Sequence, residues 1–146
     1  MAKWHGGLGR TLVALCAAIM VATPALTQLK PSLTALAKLE PGLWQLRDLD
    51  DARVAPQSIC IADTNLLMQV QHRNSPCSRL IISNDLKGAT VHYTCPANGF
   101  GRTSLRVETS RLAKIDTQGI SDNAPFAYRL EARRTGSCES ARRGAR

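Results

Sequence analysis

The sequence predicts a mainly β domain: an antiparallel meander, as a curved sheet or small barrel, with one short helix and two disulfides. Three observations lead there. Short β-prone runs recur at intervals of roughly 8–12 residues, with turn-forming residues between them. Only one segment carries helical periodicity, whereas parallel strands would need several crossover helices. Four cysteines follow an apolar leader, an even count that reads as a disulfide framework in an oxidising compartment. At 146 residues, with 44% hydrophobic and 21% charged, the chain suits one domain and excludes collagen-like or wholly disordered classes.

Residues 1–10 carry Lys3, His5 and Arg10 with no acid, residues 12–22 are apolar throughout, and Thr23-Pro24-Ala25 follows. A basic start, an apolar run and small residues make a secretory signal layout. Cleavage is expected after Ala25, or as late as Ala37 at the triplet Ala35-Leu36-Ala37. The run is shorter than the ~20 apolar residues that a spanning helix needs, so no transmembrane span is expected in the mature form. Cys16 lies inside this run. Residues 26–38 read as a linker in which Leu33, Leu36 and Ala37 are spaced for a short helical turn, residues 39–138 as the β-rich domain and residues 139–146 as a basic, disordered tail.

Within the domain, Pro41-Gly42 punctuates the start, and residues 43–47 alternate with Trp44 and Leu46 on one face. Asp48, Asp50 and Asp51 then read as a solvated turn; the glycine and closing glutamate of an EF-hand loop are missing. A second strand is expected over residues 58–62. Asp63 is placed to cap a helix over residues 64–72, with Leu66, Leu67 and Val70 on its apolar face. Further strands are expected at 80–82, 90–95, 103–109 and 112–115. The clearest is last, where Phe126, Tyr128, Leu130 and Ala132 alternate with polar or small residues.

Four cysteines permit three pairings: Cys60, Cys77, Cys95 and Cys138. Neither a metal nor another cofactor is expected, because no Cys-x-x-Cys pair supplies local zinc ligands, although His92 lies near Cys95. No Gly-x-Ser-x-Gly elbow, phosphate loop or His-Glu-x-x-His helix is present, and Gly99-Phe100-Gly101 lacks the third glycine of a dinucleotide fingerprint. General acid–base chemistry would fall to His72 or His92, with Ser83, Asp85 and His92 as one hypothetical set. Candidate binding residues are His92, Tyr93, Trp44, Arg129 and Arg133. Lys+Arg 19 against Asp+Glu 11 gives +8, which favours anionic partners. With 4% aromatic residues there are few stacking platforms, so no specific nucleic acid is expected.

Pro41-Gly42-Leu43-Trp44, Ile59-Cys60-Ile61, Cys77, Tyr93-Thr94-Cys95 and Thr135-Gly136-Ser137-Cys138 occur in this order over residues 39–138. In that order and spacing the chain resembles the exported bacterial family of unknown function numbered 3617. It departs from the family's pattern in being basic and poor in methionine. The resemblance implies an exported β-rich domain with two disulfides, and it favours the pairing Cys60–Cys77 with Cys95–Cys138. It brings no activity. The expected function is therefore a periplasmic or secreted, non-enzymatic binding module whose partner is an anionic envelope component, a small apolar ligand or another envelope protein. The alternatives are a small hydrolase-like enzyme using His92 and an inhibitor of a cell-wall enzyme.

Overall fold

The computed structural model describes residues 32–139. The expected signal peptide, the first part of the expected linker and the tail from residue 140 lie outside the described residues. Seven strands form one antiparallel sheet: β1 (Gly42–Asp48), β2 (Gln57–Ile61), β3 (Ser78–Asn84), β4 (Gly88–Cys95), β5 (Gly99–Thr109), β6 (Leu112–Ser121) and β7 (Ala124–Gly136). Their spatial order is β2-β1-β7-β6-β5-β4-β3. Strands β3 to β7 are a plain meander. The β1–β2 hairpin then attaches to the free side of β7, leaving β2 and β3 as the two edges. Of the two expected forms, the open sheet is the one adopted; no closed barrel forms.

Alternation decides which face is buried. Trp44 and Leu46 on β1, Val91 and Tyr93 on β4, Leu105 on β5, Ile115 on β6 and Leu130 on β7 all point to one side. A sheet with one apolar face needs a cover. The cover here is the segment Thr64–His72, which packs across β2, β4, β5 and β6. It begins where expected, with the Asp63 side chain accepting from the Asn65 N–H at 2.9 Å. It is a 3-10 helix broken by non-helical φ/ψ at Gln69, so Met68 and Gln69 are buried beside Leu67 and Val70 rather than facing outward.

Two expectations are corrected. The stretch expected as a linker supplies Leu33, Ala35 and Leu36 to the core from a short 3-10 turn at Leu36–Lys38. Cleavage after Ala37 would strip those side chains away. The disulfides are Cys60–Cys138 and Cys77–Cys95, not the pairing that the resemblance favoured. Topology supplies the reason. Leu43 of β1 lies between Cys60 of β2 and Gly136 of β7, so Cys138, two residues on, crosses β1 to reach Cys60. Cys77 precedes Ser78, which pairs with Thr94, so Cys77 falls beside Cys95.

Inside the core runs a chain of polar groups. His72 Nε2 lies 2.8 Å from the Asn98 carbonyl oxygen, which can only accept, so this nitrogen carries a proton. In the neutral ring Nδ1 then accepts the Tyr93 hydroxyl at 3.2 Å. The Thr117 hydroxyl interacts with that of Tyr93, and the Thr103 and Thr117 hydroxyls are hydrogen-bonded to each other at 2.7 Å. No buried side-chain polar atom lacks a partner among the described residues. Gly101, on the strand beside Tyr93, leaves space for its ring.

Candidate functional site

The face of the sheet opposite the core is built by the other half of each alternation. Because the register is antiparallel throughout, its side chains fall into lines across the strands. One line is Leu80, His92, Arg102, Gln118 and Ala127; its neighbour is Thr94, Phe100, Ile120 and Pro125. Leu80 is 67% exposed and Phe100 45%, so apolar side chains stand in water here without cover. The His92 and Phe100 rings lie 5.9 Å apart, and with Arg102, Gln118 and Ile120 they border a shallow depression of about 350 Å³. Gly119 forms part of its lining, where a Cβ would collide with the Phe100 carbonyl oxygen.

Further along the same face the charge becomes positive. Arg106 pairs with Lys114 across β5 and β6, and Lys114 with Glu131 across β6 and β7. Several cations have partners: Arg47 and Arg133 reach Glu131 at 3.3 and 3.4 Å, and Arg106 reaches Glu108 at 2.6 Å. Burial opposes ionisation of Glu131, but Arg47 and Arg133 beside it prevail and hold its carboxyl below the ordinary range. Arg129 Nε donates to Asp50 at 2.9 Å, and that hydrogen bond lowers the Asp50 carboxyl. Arg102 and Lys114 make no ion pair within the described residues, and both are exposed. Such surface pairs contribute little to stability, ~0–1 kcal/mol each.

The five residues singled out from the sequence separate into two groups. Trp44 and Tyr93 are fully buried in the core, where the Trp44 indole donates to the Glu40 carbonyl at 3.1 Å. His92, Arg129 and Arg133 lie on the exposed face but not together. His92 is three strands from Arg129, about 14 Å at the usual ~4.8 Å spacing. Nor do Ser83, Asp85 and His92 converge. His92 lies opposite Leu80 while Ser83 lies opposite Thr90, and Asp85 accepts the N–H groups of Lys87 and Gly88, which lower its carboxyl.

The aspartates after β1 are engaged too. Asp48 Oδ1 accepts from the Asp50 and Asp51 N–H groups, Asp50 holds Arg129, and Asp51 holds Arg53 at 2.9 Å. No group of three or more potential metal ligands occurs among the described residues. No helix among them is long and apolar enough to cross a membrane. Phe100, Arg102 and Lys114 were missed as site residues. The alternation Arg102, Ser104, Arg106 around buried Thr103 and Leu105 was the available signal, yet it needed the strand register to become a surface. Compared with protein-family models, curated proteins and solved structures, the chain matches none.

Proposed function

We propose that this protein is an exported, non-enzymatic binding domain that adheres to an anionic, amphiphilic component of the bacterial envelope through the exposed face of its sheet. The observation that carries the reading is that Arg102 and Lys114, without an ion pair among the described residues, share one face of the sheet with exposed Phe100 and Leu80 and half-buried Ile120. Cations draw the domain to a negative surface, and neighbouring apolar side chains gain by leaving water at the boundary. Two disulfides fit folding outside the cytoplasm, in the periplasm or beyond the cell. A core filled by Trp44, Tyr93, Leu67 and Met68 favours surface binding over an enclosed lumen. Membership of the exported family numbered 3617 belongs to the same proposal; its support is that the Pro-Gly-Leu-Trp opening leads into β1 and that all four cysteines pair.

The test is co-sedimentation with vesicles of phosphatidylcholine containing increasing phosphatidylglycerol. Binding is expected to rise with the anionic fraction and fall as salt shortens the screening length from ~10 Å at 0.1 M. Arg102→Glu with Lys114→Glu, both at exposed positions, is expected to abolish it without altering the unfolding midpoint. Wild-type binding that ignores headgroup charge, or survives both reversals, would refute the reading.

A further inference from the structure

On the core side of the sheet, at the end away from β3, the inner faces of β1 and β7 are not fully covered. A cleft of about 260 Å³ opens there between the β1–β2 loop (residues 49–56) and the end of the helix Thr64–His72. Its floor is apolar: Leu46, Val70 and Leu130, all buried, with half-buried Tyr128. Val54 and Ala55 of the loop border it, and Arg73 stands at its rim.

The chemistry of the lining is mixed. The walls offer carbon and the Tyr128 ring, which stacks on Phe126 at 5.6 Å; the Tyr128 hydroxyl makes no hydrogen bond within the described residues. Arg73, in the same lining, has no carboxylate partner among the described residues, and its contact to the Val70 carbonyl is 3.5 Å. Beyond Arg73 lies a polar cavity of about 370 Å³ that shares Gln57, Val70, Gln71 and Arg73 with the cleft. A charged head at Arg73 therefore stays hydrated. Asp48, the acid among the lining residues, already has Oδ1 occupied by two N–H groups of its own loop.

We propose that this cleft binds a medium-chain monocarboxylate, with the tail on Leu46, Val70 and Leu130 and the carboxylate paired with the Arg73 guanidinium. Charge complementarity sets the head, since a guanidinium holds a carboxylate by two parallel hydrogen bonds. Size sets the tail. At ~30 Å³ per water the cleft holds about nine waters, which corresponds to a ligand of about ten non-hydrogen atoms, such as octanoate. The site is separate from the exposed sheet face and does not depend on the envelope reading.

The experiment is titration calorimetry of the disulfide-bonded protein with hexanoate, octanoate and octan-1-ol. Octanoate is expected to bind about fifteen-fold tighter than hexanoate, the gain from burying two more methylenes. Arg73→Gln is expected to weaken octanoate at least ten-fold and leave octan-1-ol unchanged. Ala55→Trp, a loop substitution on an exposed position that fills the mouth, is expected to abolish both. No octanoate binding by the wild type would overturn the proposal, as would octanoate binding unaffected by either substitution. Arg102→Glu with Lys114→Glu is expected to leave octanoate affinity unchanged, which separates this site from vesicle binding.

Discussion

Replacing Gly101 with alanine tests the packing around the buried polar chain, because the general rule and this structure predict opposite signs. A glycine-to-alanine change at an ordinary backbone position stabilises by about 0.4–1 kcal/mol, through the restricted unfolded chain. Gly101 has no positive φ, so this gain applies in principle. A Cβ there, however, would lie 2.5 Å from the Tyr93 hydroxyl oxygen, 2.6 Å from Cζ and 2.9 Å from Cε1. Ordinary contact begins near 3.4 Å, so the ring has to move by close to 1 Å. It is fully buried, and its hydroxyl lies between His72 and Thr117. Overpacking of this kind costs ~1–3 kcal/mol. A broken Tyr93–His72 bond adds ~1–3 kcal/mol for the stranded nitrogen.

Set against the alanine gain, the expected net loss is about 1–5 kcal/mol, a large share of the ~5–15 kcal/mol typical of a domain. Urea unfolding followed by the fluorescence of buried Trp44 measures it. The decisive control is a double-mutant cycle with Tyr93→Ala, which removes the ring that the new methyl strikes. The two substitutions are expected to be strongly non-additive, the second alanine costing little once Tyr93 is gone. Gly101→Ala at wild-type stability or above, or simple additivity with Tyr93→Ala, would refute the reasoning.

Two further predictions follow from the staples and the buried phenol. Partial proteolysis under non-reducing conditions is expected to yield Cys60–Cys138 and Cys77–Cys95 peptides, and a Cys60–Cys77 peptide would contradict the strand order. With 78 residues of separation against 18, loop entropy gives about 4.5 kcal/mol for the first bridge and about 3 kcal/mol for the second. Cys60→Ser/Cys138→Ser is therefore expected to lower the urea midpoint more than Cys77→Ser/Cys95→Ser. Burial raises the Tyr93 phenol above its ordinary value of 10.0, with the Thr117 hydrogen bond acting the other way. Since the folded value is the higher one, stability is undiminished below pH 10 and falls as pH rises from there toward the folded value. Urea midpoints measured from about pH 9 to pH 11 are expected to show that loss in the wild type and less of it in Tyr93→Phe.

Much of the architecture was legible because β alternation is a local property. Trp44 and Leu46, Leu105, and Phe126 with Leu130 announce their own strands and buried face, since successive side chains point to opposite sides whatever the strand's neighbours are. Asp63 likewise announced a helix start within a few residues of chain. The helix type was not legible. The apolar spacing of Leu66, Leu67 and Val70 fits an α-helix, but burying Met68 and Gln69 against the sheet as well is achieved by a tighter, broken helix. Trp44 and Tyr93 were attractive as ligand residues because of their chemistry, and nothing local distinguishes an aromatic side chain awaiting a partner from one that fills a core.

From its sequence alone the chain determined that it would be an antiparallel β domain, where its strands and helix would lie, and that four cysteines would staple it. Only the tertiary structure decided which cysteines meet, which cations share a surface and where a cleft opens. Cysteine pairing depends on β7 returning beside β1 rather than on loop length, and that return places Cys138 across β1 from Cys60. Likewise Arg102 and Phe100 join Leu80 and Ile120 only through register across four strands. Periodicity is set by neighbours along the chain. Surfaces and crosslinks are set by neighbours across the sheet, and those are fixed when one shared core buries every strand's apolar face at once.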